Sequence, residues 1–222
     1  MLPYVLPCKF CRASLSEYYE KDPLEPALKS KTLLSKWLWR IHNMVNDKLR
    51  SQGLNTAENP SFASVQKIYE ERIAKGCVRT EFEGWDFLFS IVDNHPFTRS
   101  SMHSTPLSDS VADTPDLRNR YNVMSPDERM EYYTQFWKSV GESLPFEEWR
   151  MAWKNCDLDF SNVGLRKLWI KELWRIRCCL EDKLELVNCE EFNSLCKRLS
   201  SHRSGCSRKK RARTCRKTTR KH

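Results

Sequence analysis

Apolar residues recur at helical spacing along this chain. The pattern is clearest from Ser30 or Thr32 to Arg50, where Leu34, Leu38, Ile41, Val45 and Leu49 predict the core stripe of a long helix. A second stripe runs beside it, with Trp39, His42, Asn43 and Asn46 at i, i+3, i+4 and i+7. A solvated polar face is the plain reading of that stripe. Against it, tryptophan is out of place on a solvated face and asparagine is poor in a helix interior, so the amides call for a partner. A planar heteroaromatic ligand carrying phosphates would satisfy them, with Lys48 and Arg50 near the phosphates.

Pro7 fits the first turn of a helix and predicts one from about Pro7 to Tyr19. Prolines then bound a turn from Asp22 to Pro26. Gly76-Cys77 closes this first stretch, and a new apolar run opens at Gly84-Trp85. The segment Thr98 to Pro115 is rich in Ser, Thr, Asp and Pro and reads as a mobile loop. Ser125-Pro126-Asp127-Glu128 supplies an N-cap, a first-turn proline and early acids, and starts a helix with Met130, Tyr133, Phe136, Trp137 and Val140 inward. With 6 glycines in 222 residues, the fold class expected is all-α.

The chain repeats itself. Leu144-Pro145-Phe146-Glu147-Glu148-Trp149-Arg150 matches Leu6-Pro7-Cys8-Lys9-Phe10-Cys11-Arg12, and Leu173 to Leu184 matches Leu38 to Leu49. Phe192 to Cys206 echoes Phe62 to Cys77. Core letters persist while chemical letters change: Phe146 and Trp149 stand for the two cysteines, Arg177 for His42, Cys178 for Asn43 and Glu181 for Asn46. The domains expected are 1–77, 78–206 and a basic, disordered tail 207–222.

Charge changes the picture only at the end. Twelve Lys or Arg and no acid lie from Lys197 onward, leaving 26 basic and 29 acidic groups before it. Nucleic-acid binding or nuclear targeting would therefore rest on the tail alone, beside the reading of a solubilising tail. No apolar run approaches a membrane span, and Met1 to Pro7 is too short for a secretory signal, so an intracellular chain is expected. Ten cysteines fit that compartment poorly, a conflict that disulfide-forming chemistry would resolve.

Cys8 and Cys11 fall three apart in the first helical turn, where the dipole favours thiolate. Such a pair is also half of a zinc site, but zinc needs a second pair and the next cysteine is Cys77. Cys178, Cys179, Cys189, Cys196, Cys206 and Cys215 with His202 fit no zinc spacing, so no metal is expected. Some of these later cysteines read as buried apolar thiols.

Cys8 and Cys11, followed by Trp37, His42, Asn43, Val45, Asn46 and Leu49 in the order W-x-x-x-x-H-N-x-V-N-x-x-L, resemble the Erv/ALR family of FAD-linked sulfhydryl oxidases. The resemblance implies a small four-helix bundle with a short fifth helix at Phe62 to Ile73, usually homodimeric. It implies oxidation of protein dithiols to disulfides with O2 reduced to hydrogen peroxide. By position, Cys8 would meet the substrate or a shuttle, and Cys11 the flavin. Trp39, His42, Asn43, Val45, Asn46 and Lys48 would hold FAD, with Tyr69 a further candidate toward adenine. In the family two helices precede the cysteine pair, so the first bundle is expected here without them. The stretch Gly84 to Pro96 is similar to the family's first helix, with Phe89 in place of its flavin-facing histidine. The second copy then reads as a degenerate, flavin-free bundle. Such copies occur in oxidases of large DNA viruses, which adds a viral factory or virion to the cytoplasmic location expected. Cys206 and Cys215 would be a mobile shuttle pair. The alternatives from other classes are a non-catalytic helical scaffold and a nucleic-acid binder acting through the tail.

Overall fold

A computed structural model describes residues 1–7, 9–76, 82, 84–98, 125–187 and 190–201. The described residues form helices and no strand, as the sequence implies. Residue 8, residues 99–124 and those beyond 201, on which the mobile-loop and disordered-tail expectations fall, lie outside the described residues.

In order the α-helices are α1 (Leu2–Val5), α2 (Lys9–Lys21), α3 (Lys31–Ser51), α4 (Phe62–Ala74), α5 (Trp85–Asp93), α6 (Pro126–Ser143), α7 (Glu147–Asn155), α8 (Arg166–Lys183) and α9 (Phe192–Ser201). Short 3-10 turns at Glu25–Lys29 and Phe160–Asn162 precede α3 and α8. Their ends follow local chemistry. Ser30 caps α3 by accepting from the Leu33 amide at 3.2 Å. Ser125 and Glu128 close a reciprocal capping box at the start of α6, as the sequence signature predicts.

Two compact units result. One takes residues 9–72, with α2, α3 and nearly all of α4. The other takes residues 1–7 and the described residues from 73 to 201. The expected first domain, 1–77, therefore differs at its start: Val5 joins the large core, and Tyr4 stacks on Tyr132 of α6 with ring centres 3.7 Å apart.

The larger unit has an aromatic core. Trp137 of α6 meets Trp169 of α8 edge-on at 5.6 Å, and Phe89 of α5 lies 6.4 Å from Trp174 of α8. Tyr133, Phe136, Trp137 and Val140 are buried along α6 as expected, with Met130 packed at the edge. Gly141 permits the closest approach here, since a Cβ would sit 2.4 Å from Cδ1 of Trp153 on α7. Cys156, at the end of α7, is joined to Cys179 of α8 by a disulfide with Cα atoms 5.9 Å apart. Cys179, one of the later cysteines among which buried thiols were expected, is therefore not a thiol. The smaller unit gathers Tyr18, Ala27, Trp37 and Ile41.

Candidate functional site

The smaller unit is organised by α2 against α3. Trp37 donates its indole N–H to the Asp22 carbonyl at 2.8 Å, and Arg40 grips the Asp22 carboxylate at 2.7 and 3.0 Å. These contacts pin the turn after α2 to the first half of α3. Further along, Tyr18 donates to the Met44 carbonyl at 3.3 Å, and Lys48 Nζ to Ser14 Oγ at 2.5 Å. Stepping back along α2 thus matches stepping forward along α3, so the two run antiparallel. Cys11 lies one turn before Ser14, exposed, in the first turn of α2. That places Cys11 at the positive end of the helix dipole.

Trp39, His42, Asn43 and Asn46 share one sector of α3 by their spacing. Trp39 is half-buried, donates to the Pro60 carbonyl at 2.9 Å and meets Phe62 edge-on at 6.0 Å. Among the described residues, the side chains of His42, Asn43 and Asn46 take no hydrogen-bond partner, and Asn43 Oδ1 is buried in that state. A buried amide oxygen left so costs about 1–3 kcal/mol. An unmet acceptor beside an imidazole, a second amide and an indole suits a flat, polar-edged cofactor, so these residues fit FAD.

Two carried-over positions behave differently. Lys48, expected at phosphates, is engaged with Ser14, a residue the sequence did not single out. Val45 is 40% exposed beside His42. The core stripe expected on α3 is also largely open: Ile41 is buried, but Leu34 and Leu38 are 39% and 46% exposed. The unit of residues 9–72 has, among its described residues, no further helix pair to lay over them. Tyr69 is exposed on α4.

The second copy tests the repeat contact by contact. Trp174 meets Phe192 at 5.5 Å, as Trp39 meets Phe62. Arg175 donates to the carbonyls of Cys156 and Asp157 at 3.0 and 2.6 Å, holding the turn after α7 as Arg40 holds the turn after α2. The Cys156–Cys179 disulfide falls, in the register of the repeat, on the pair Tyr18 and Met44. That register was the available signal for the disulfide. At the positions of His42 and Asn46, Arg177 donates to Glu181 at 2.7 Å. Phe146 and Trp149 pack edge-on at 4.8 Å where the first copy has cysteines. Among the described residues no cluster suits a metal, and no helix is long and apolar enough to cross a membrane.

A sequence model of the Erv1 / Alr family matches residues 1–69. The matched stretch contains Cys8, Cys11 and the whole of α3, and about a third of the chain is similar to that family. No curated protein and no solved structure matches the chain.

Proposed function

We propose that this chain is an FAD-linked sulfhydryl oxidase whose chemistry belongs to the first copy. The observation that carries this is the unmet face of α3, where Asn43 Oδ1 is buried without a donor beside His42 and Asn46. The family match over the same residues supports it. Trp39, His42, Asn43 and Asn46 would hold FAD, with Val45 at the edge. Bound FAD would supply a two-electron acceptor that oxygen can reoxidise.

The thiol steps belong to the protein. With the Cys8 and Cys11 pair oxidised to a disulfide in the resting enzyme, a substrate thiolate would attack Sγ of Cys8 and Cys11 would leave as thiolate. The second substrate thiolate attacks the substrate sulfur of that mixed disulfide and expels the Cys8 thiolate. One substrate disulfide forms, and the cysteine pair gains two electrons. The helix start at Cys11 stabilises the leaving thiolate. The substrates expected are protein dithiols.

The test is a visible absorption spectrum of the purified chain. A flavin spectrum that dithiothreitol bleaches without air, and air restores, is the expected result. A folded, colourless chain would sink the proposal. It would favour the reading of a non-catalytic helical scaffold, to which the exposed Leu34, Leu38 and Val45 lend independent support.

A further inference from the structure

The position that carries His42 in the first copy carries Arg177 in the second, and there the side chain is almost wholly buried. A buried guanidinium persists only when its charge and its donors are met. Nε donates to Glu181 at 2.7 Å and Nη1 to Glu190 at 2.8 Å. The guanidinium carbon lies 5.2 Å from the Trp174 ring centre and 5.8 Å from that of Trp85, within cation–π reach of both. Trp174 and Glu181 occupy the positions of Trp39 and Asn46, so the group lies on the equivalent stripe. Trp85 adds a second ring from α5. Glu190 is itself gripped by Arg198 at 2.8 and 3.1 Å, and Arg198 pairs with Asp86 on α5.

We propose that Arg177 is a built-in ligand. The second copy keeps a slot for a flat, nitrogen-bearing group, and the chain fills that slot with its own guanidinium. Two indoles recognise the plane, and two carboxylates recognise the charge and the N–H edge. A lysine would supply the charge without the plane or the fork. The filled slot ties α8 to α5 and, through Glu190 and Arg198, to α9. It is closed to any free ligand while Arg177 is present, and takes guanidinium-class ions once that side chain is removed. This deepens the proposed function by confining cofactor binding to the first copy. Its physical basis is the contacts of Arg177, not the redox reading.

The test uses the full chain carrying Arg177→Gly or Arg177→Lys beside the unaltered protein. Thermal melting is followed with millimolar methylguanidinium chloride and with equal sodium chloride. Both variants should melt lower, and methylguanidinium should raise the Arg177→Gly midpoint by about 3–5 °C, as a ligand well above its Kd does. It should not raise Arg177→Lys or the unaltered chain. If Arg177→Gly is recovered only as aggregate, the yield of soluble chain on refolding in methylguanidinium against sodium chloride gives the same decision. An Arg177→Gly variant as stable as the original, or one helped equally by sodium chloride, would overturn the proposal. Flavin content of the variants is read in parallel and should match the unaltered chain. Loss of flavin confined to Arg177→Gly would also overturn it, by placing Arg177 in the first copy's binding. Absence of flavin from every sample would count against the oxidase reading alone, with the methylguanidinium result still deciding the slot.

Discussion

Helices α3 and α8 share a sequence register and differ in how far the chain satisfies them. Trp169, Leu173 and Leu180 of α8 are wholly buried, whereas their counterparts Leu34, Leu38 and Val45 are 39–46% exposed. The polar stripe shows the same contrast. Arg177 and Glu181 meet each other, while His42, Asn43 and Asn46 meet nothing among the described residues. On the stripe that carries Arg177 the fold supplies a partner, and to His42, Asn43 and Asn46 on the matching stripe it supplies none among the described residues. A polar helix face reads as a site when the fold leaves it unmet, and as architecture when the fold closes it.

The largest effect that would break this contrast is chemical. Cys11→Ser should reduce dithiol oxidation to background and stop bleaching of the flavin by dithiothreitol, with the melting curve unchanged. Cys156→Ser should leave oxidation of an added dithiol intact, because that disulfide lies in the copy without the cysteine pair. Equal loss of oxidation in both variants would mean the two copies share the chemistry.

Next comes packing. Leu173→Ala removes a fully buried side chain and should cost about 2–5 kcal/mol in denaturant unfolding. Leu38→Ala, at the matching exposed position, should cost less than about 1 kcal/mol. Equal costs would show that something covers α3 in solution. The staple is of similar size: losing a disulfide across 23 residues should cost about 3 kcal/mol. Tyr18→Phe, at the equivalent crossing, removes a single hydrogen bond and should cost about 0.5–1.5 kcal/mol.

A pH effect on stability is expected from the second copy. His95 is buried, with Nε2 donating to the Val163 carbonyl at 2.8 Å and Nδ1 accepting from the Phe97 amide at 3.1 Å. Burial holds its pKa below the ordinary 6.5, and the nearby Arg129 and Arg166 push the same way. The unfolded chain thus binds a proton that the folded chain refuses. This contribution is full above pH 6.5 and falls away as pH drops toward the folded pKa. Melting between pH 7.5 and 5.5 should fall less steeply in His95→Gln.

Much of this was legible in the sequence. Helical periodicity gave α3, the serine–proline–acid signature gave α6, and the spacing of Trp39, His42, Asn43 and Asn46 gave a shared sector. What failed was burial. A stripe such as Leu34, Leu38 and Val45 says that a face is apolar, not that anything covers it. Ser14 was missed because a serine on a helix carries no signal until a lysine from another helix reaches it. The disulfide was missed for a similar reason, since Cys156 and Cys179 are 23 residues apart and only the overlay on Tyr18 and Met44 brings them together. Arg177 was visible as a substitution, but Trp85 from a separate helix turns it into an enclosed cation.

The crossing of Tyr18 on Met44 has a consequence for a protein that would handle thiols all its working life. A thiolate can exchange with any disulfide it can reach. In the unit that carries Cys11, the two main helices are clipped together by a phenol on a carbonyl, a bond with no sulfur to trade. Thiol substrates of the proposed reaction would therefore find nothing to unfasten at that joint. The covalent version of the same clip is kept in the copy where Phe146 and Trp149 stand in place of the cysteines.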